Sequence, residues 1–394
     1  MFWTTFYVSR FTSHVCRLPF HVSRLKIGEK LNSTSRQCFL SYVRNHQNSR
    51  SIVSPFLPNP GVIKSTLGYL NLPYTEDDIQ NEILLSKHLD YEPMFMAELT
   101  NLIFNWQVDE SRSDDQFEIS AIQTPKGEWL RRFPRKEIQW NDDVLCPVQK
   151  EKDHEFFVAV CEQVGDQAEK IRQYYRQFRQ RVGEDGVIVL GHPHPSWLGY
   201  QIGPSMIFYH WNDFRATFIR SMDTLFEASL FVMNIAMEEG IDFMSDSSYG
   251  LEMTSPRLFF EMDLPYIQKF AQWTHERNGL FWYHNCGYTR KLIMDGTFNT
   301  LGADLIETIA PPPEGDNDLA ESRKYIDPNI CTKGNLNLNL LRDGNPNQIA
   351  EMTKQMVESI RGWKHNFSTA DAVLPGTPPE NFISFVRTAR EASE

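Results

Sequence analysis

Gly279-Leu-Phe-Trp-Tyr-His-Asn-Cys-Gly287 decides how the chain is to be read. A short apolar run opens on glycine, carries aromatic residues suited to a strand, and breaks into His284-Asn-Cys286 just before Gly287. The same grammar recurs on both sides. Gly186-Val-Ile-Val-Leu190 runs into Gly191-His-Pro-His-Pro195, and Gly240-Ile-Asp-Phe-Met244 into Ser245-Asp-Ser-Ser-Tyr-Gly250. Ala303-Asp-Leu-Ile-Glu-Thr-Ile-Ala310 leads to Pro311-Pro-Pro-Glu-Gly315, and the stretches from Tyr325 to Gly334 and from Phe367 to Gly376 repeat the form. Helical patterns lie between them. In one, Ile349, Met352, Met356, Ile360 and Trp363 recur at three- and four-residue steps, a stripe for core packing.

Strands alternating with helices at this spacing argue parallel β/α units. The units after residue 180 leave room for two more before it, so the expected fold is α/β, a (β/α)8 TIM-type barrel, with a doubly wound sheet as the alternative. In a barrel the loops after the strands gather on one face, which places the polar residues quoted above around one site. A chain of 394 residues without a long linker suits one large domain, expected at 31–394. Residues 1–30 differ: they hold Arg10, Arg17, Arg24 and Lys26 and no acid before Glu29, and read either as a targeting-like segment for an organelle or as a disordered extension. Asp109–Asp115, Phe117–Ile122 and Gly127–Trp129 read as a turn and hairpin inserted on the larger body.

Net charge is 39 − 51 = −12, which disfavours nucleic acid and anionic membrane as partners and leaves a small-molecule ligand as the expectation. The cysteines, Cys16, Cys38, Cys146, Cys161, Cys286 and Cys331, contain no CxxC pair and read as reduced thiols of a cytoplasmic protein. No apolar run reaches the ~20 residues of a membrane span. A phosphate-cradling loop and a nucleophile elbow are both missing from the text.

Two residues apart on a strand, His284 and Cys286 point to one side, and imidazole plus thiolate suits zinc, although a catalytic zinc normally takes three protein ligands. A buried histidine beside an inert cysteine is the competing reading. His192 and His194 repeat the spacing in a proline-stiffened loop and stand as substrate-pocket residues, as metal ligands, or as part of a rigid loop alone. Asp246 stands as a general acid or base or as a turn cap; Asp371 as a carboxylate ligand or base or as a turn former. Asn335 stands as a hydrogen-bonding group for a substrate carbonyl or carboxylate or as a satisfier of loop backbone.

From about Thr34 onward these blocks resemble, in order, the uroporphyrinogen decarboxylase superfamily, whose members include the decarboxylase of haem synthesis and zinc-dependent methyltransferases acting on methylated corrinoids. The resemblance rests on Gly191-His-Pro-His-Pro-Ser-Trp197, Asp246-Ser-Ser-Tyr-Gly250, Pro265-Tyr266, His284-Asn-Cys-Gly287, Gly334-Asn335 and Pro375-Gly-Thr-Pro-Pro-Glu-Asn381. It implies the (β/α)8 barrel. His-x-Cys-Gly is the methyltransferase form, whereas the arginine-bearing loop that grips porphyrinogen carboxylates is replaced here by Ser51-Ile-Val-Ser-Pro-Phe56, and Gly-His-Gly by Ala370-Asp-Ala372. The methyltransferase resemblance implies zinc on His284 and Cys286. The family's distal cysteine falls at or beside Asp371, which makes Asp371 the third ligand, with Cys331 in reserve. The expected activity is zinc-dependent methyl transfer between a methylated corrinoid, on a corrinoid protein or free, and a thiol or related acceptor, with His192, His194 and Asn335 lining the pocket. The alternatives are metal-free decarboxylation of uroporphyrinogen or another polycarboxylate, with Asp246 stabilising a protonated pyrrole, and tetrapyrrole or corrinoid binding without catalysis.

Overall fold

The computed structural model describes residues 33–44, 50–135, 146–192, 198, 201–203 and 206–394. The targeting-like segment and His194 lie outside them, as does the side chain of Cys286.

Each glycine-led apolar run is a strand of one parallel sheet. In chain order these are β1 (Met94–Ala97), β5 (Val187–Leu190), β6 (Phe243–Tyr249), β7 (Leu280–Cys286), β8 (Leu305–Glu307), β9 (Cys331–Leu336) and β10 (His365–Thr369), and they pair in that sequence. Wholly buried runs such as Val187-Ile-Val-Leu190 are what a sheet covered on both faces requires. The remaining strands, β2 (Gln107–Val108), β3 (Phe117–Thr124) and β4 (Gly127–Pro134), form a separate antiparallel sheet where the inserted hairpin was expected.

The eighth stave is Ile52-Val-Ser54. Val53 pairs in parallel with Phe367 of β10. Phe367 N donates to Ile52 O at 2.9 Å and Ser54 N to Phe367 O at 2.9 Å, while Glu92 N, just before β1, donates to Val53 O at 2.9 Å. The segment thus bonds to both edges of the seven-stranded sheet and closes the barrel. It stays short because Pro55 and Pro58 follow and cannot donate to a ladder. Arg390 on the last helix (Pro379–Ser393) pins this closure: its guanidinium donates to Glu92 Oε2 at 2.6 Å, Ser51 O at 2.6 Å and Asp90 O at 2.9 Å.

Alternation sorts the side chains of the sheet. Met94, Val187, Val189, Phe243, Leu280, Trp282, Leu305 and Cys331 face the lumen and form one cluster with Phe39, Tyr42 and Val43. These last three belong to the helix Ser35–Arg44, which plugs the amino-terminal end, Phe39 lying 5.8 Å from the Phe243 ring and 6.3 Å from Trp282. Their outward neighbours, among them Ile188, Met244, Phe281 and Ile306, pack against the helices. With the lower lumen filled by hydrocarbon, polar chemistry is confined to the carboxyl ends of the strands.

Candidate active site

Above the apolar plug the lumen turns ionic. Glu307 ends β8 and Lys333 is its register partner on β9, so both face inward at one level, with His284 the partner of Glu307 on β7. Lys333 is fully buried and Glu307 nearly so, and the ammonium donates to Glu307 Oε1. Glu307 Oε2 accepts from Trp282 Nε1 at 2.9 Å and faces His284 Nδ1 at 3.5 Å. Burial alone would raise this carboxyl, but the charge of Lys333 and the contact with His284 outweigh it and hold it below the ordinary carboxylate range. An ionised Glu307 only accepts, so the Nδ1 of His284 carries the proton and, in the neutral ring, Nε2 carries the lone pair. This is the carboxylate–histidine arrangement that metal sites use to orient an imidazole.

His192, just past β5, stacks on His284 with ring centroids 5.1 Å apart and planes 20° apart. Its Nδ1 lies 2.9 Å from Ser245 Oγ, and the Ser245 hydroxyl donates to Leu190 O. The single serine proton is thereby committed, so His192 Nδ1 donates and Nε2 is the acceptor nitrogen. Burial, then the neighbouring His284, pushes the His192 imidazole down to about 3, so the ring is neutral at physiological pH.

Asp371, after β10, is near enough to be influenced by His284, Glu307 and Lys333; burial raises its carboxyl more than His284 and the Ala372 N–H lower it. Its Oδ1 accepts from Ala372 N at 2.7 Å. The structure thus gathers His284, His192 and Asp371 at the carboxyl-terminal mouth. It does not bring Asp246 there: Asp246 pairs in register with Tyr283, whose ring packs edge-on against Phe298, so this fully buried carboxyl belongs to the helix-facing side, with Oδ1 accepting from Ser247 N at 2.9 Å. Asn335 spends its amide on loop backbone, Nδ2 donating to Ile309 O at 2.8 Å. Cys331 sits in the apolar plug, two residues before Lys333 on β9, its thiol pushed up to about 12 by burial. Among the described residues no three His, Cys, Asp or Glu side chains gather as a metal site.

Sequence reasoning missed Glu307, Lys333 and Ser245. The signal was present: ionisable residues of opposite sign inside two consecutive apolar strands, which a doubly covered sheet tolerates only as a pair. The motif glycines have local reasons. Gly287 holds φ +102°, and a Cβ there would stand 1.9 Å from Glu252 Oε1, the carboxylate that accepts from Tyr288 N at 2.6 Å. Gly334 holds φ +140°, with Thr308 O 2.2 Å from where a Cβ would be.

A parallel barrel with polar residues at the carboxyl ends of its strands is a common frame for enzymes. Residues 212–392 match the family model described as uroporphyrinogen decarboxylase (URO-D). This region, which contains β6 to β10 with His284, Glu307, Lys333 and Asp371, belongs to the uroporphyrinogen decarboxylase superfamily, as its motifs imply. Among solved structures, a methyltransferase from Methanosarcina mazei is similar over 91 % of this chain and 99 % of its own, with a TM-score of 0.61 at 15 % identity, a likeness of fold. A B12-independent methionine synthase from Shewanella sp. W3-18-1 in complex with selenomethionine aligns over 80 % of this chain and 86 % of its own, with a TM-score of 0.41 at 9 % identity. No curated protein matches the chain in sequence. No helix among the described residues is long and apolar enough to cross a membrane.

Proposed function

We propose that the chain is a zinc-dependent methyltransferase of the superfamily, moving a methyl group between a methylated corrinoid and a thiol or related acceptor at the carboxyl-terminal mouth of the barrel. The observation that carries the reading is His284, placed at the end of β7 with Nδ1 turned to an ionised Glu307. With Glu307 on the Nδ1 side, the neutral form of the ring would offer Nε2 to an ion, the arrangement in which a carboxylate orients a metal-binding histidine. His284, Cys286 and Asp371 would hold the ion, a nitrogen, sulfur and oxygen set that suits it. When bound, zinc lowers the pKa of a coordinated thiol and so supplies a thiolate at neutral pH.

The chain's own residues prepare that chemistry. Glu307 orients His284, Lys333 balances the buried carboxylate, and Trp282 holds its other side. The apolar plug beneath, from Phe39 to Trp282, keeps water from reaching the pair through the amino-terminal end. Asp246, on the helix-facing side, has no part in the proposal. Metal analysis of the purified protein tests it: one zinc per chain is expected, lost in Cys286→Ser and reduced in Asp371→Ala. Protein without stoichiometric zinc, and unchanged by Cys286→Ser, would refute the reading.

A further inference from the structure

The glycines that end two of the motifs meet at one carboxylate. Gly250 directly follows β6 and Gly287 directly follows β7. A Cβ on either would overlap the carboxylate of Glu252, and on Gly250 it would also crowd Tyr288 N. Glu252 occupies the space that the two missing side chains leave and accepts from Tyr288 N at 2.6 Å, while Leu251 N donates to Tyr288 O at 2.9 Å. From the other side Asp316, in the loop after β8, accepts through Oδ1 from Thr289 N at 2.9 Å and from Arg290 N at 3.0 Å. Asn317 Nδ2 adds a bond to Thr289 Oγ1 at 2.8 Å. Just before Cys286, Asn285 O accepts from Thr308 Oγ1 at 3.2 Å. Three successive amides after Gly287 thus end on carboxylates of the two neighbouring loops, and the backbone of Cys286 is tied on both sides.

We propose that Glu252 is a positioning residue of the metal site, holding the turn Cys286-Gly287-Tyr288 so that the ligands at the end of β7 are presented from a rigid backbone. The inference rests on the zinc-dependent reading of the same mouth and adds to it a residue from the neighbouring loop. A ligand on a mobile turn has to be ordered when the ion binds, which lowers the affinity; a turn ordered beforehand avoids that loss. Burial does not account for the seat of Glu252, which is an exposed residue. Such a side chain is free to extend into water, and here it folds back over the turn onto Tyr288 N. Asp316 holds Thr289 and Arg290 in the same way, one step further from Cys286. Glutamine at position 252 keeps an oxygen for Tyr288 N and alanine does not, so the two substitutions isolate the bond.

Two measurements on full-length protein test this without turnover. Hydrogen exchange of the metal-free protein, read by mass spectrometry on the peptide from Cys286 to Met294, reports the turn. Titration with cobalt(II) alone, whose visible spectrum reports ligand type and number, reports the site. In Glu252→Ala the amides of this peptide are expected to exchange about tenfold faster or more, as for the loss of a hydrogen bond to a charged acceptor. Cobalt is expected to bind about 10–100-fold more weakly, the range for losing an outer-shell partner. Glu252→Gln should return both quantities toward wild type. The urea midpoint of each metal-free variant separates a loosened turn from misfolding; should Glu252→Ala fail to fold, Glu252→Asp, one methylene short of Tyr288 N, replaces it and has to show both changes. Exchange in Glu252→Ala that matches wild type overturns the proposal. Cobalt bound alike by wild type and Glu252→Ala overturns it too, and leaves the methyltransferase reading intact. Wild-type protein that takes up no cobalt overturns that reading and this role of Glu252 together.

Discussion

Replacing Lys333 by Met tests whether the centre of the barrel is held as an ion pair. Lys333 has no exposed side-chain surface and Glu307 only 3 %. The substitution keeps nearly the same length and removes the lysine charge, leaving Glu307 with Trp282 Nε1 and His284 Nδ1. Removing one member of a buried pair costs about 3–5 kcal/mol, because the other charge stays out of water. Glu307→Gln makes the reciprocal error: the ammonium remains between the rings of Trp282 and Phe56, 5.5 and 5.6 Å from their centroids, without its carboxylate. The double variant buries two uncharged groups and should cost no more than either single variant, giving a coupling of at least about 3 kcal/mol. Urea unfolding at pH 7 of the four proteins supplies the cycle. Single costs that simply add, with coupling under about 0.5 kcal/mol, would refute the pairing. The same pair sets an acid limit. Glu307 is depressed in the fold, so its contribution is fully present above the unfolded glutamate value near ~4.3 and is lost as pH falls toward its lower folded value. Wild-type protein should lose stability below about pH 4 more steeply than Glu307→Gln.

Barrel closure depends on one arginine. Arg390→Ala leaves Glu92, 4 % exposed, with only the more distant Arg50 Nη2 at 3.9 Å as a charge partner and frees the Ser51 and Asp90 carbonyls, so a loss of about 3 kcal/mol is expected by urea unfolding; a loss under about 1 kcal/mol would show that Ile52–Ser54 closes the barrel unaided. A second pH dependence comes from outside the site. His154 is buried with Nδ1 at 2.8 Å from Ser221 Oγ and Nε2 at 2.9 Å from His210 Nδ1, and burial, then His210, pushes it down to about 4. A depressed histidine binds its proton only when unfolded, so stability is complete above about pH 6.5 and falls between there and pH 4, by up to about 1.4 kcal/mol per pH unit. His154→Asn should flatten that slope by about one proton, and an unchanged slope would remove His154 as its source.

The barrel was legible because its strands announce themselves. Gly186–Leu190 and Gly279–Tyr283 are buried on both faces, which demands continuous apolar text, and a parallel sheet demands a helix between each pair. The closing stave was not legible, since Ile52-Val-Ser54 is too short to show a period and is a strand only through bonds to Phe367 and Glu92, far away in the chain. At the site, motif residues divided by the face they landed on. His284 and Asp246 each end an apolar run, but one looks into the lumen and the other toward the helices, and a single residue of register separates the two outcomes.

The sequence by itself determined the repeating strand–loop–helix order, the placement of His192, His284 and Asp371 at strand ends, and the family signatures, because these are local patterns of burial and turn chemistry. Only the tertiary structure decided that Glu307 and Lys333 neutralise each other beneath His284 and that Ser245 sets the tautomer of His192. Those relations join residues of different strands at one height in the lumen. That height follows from barrel closure and sheet register, which no stretch of the chain states alone.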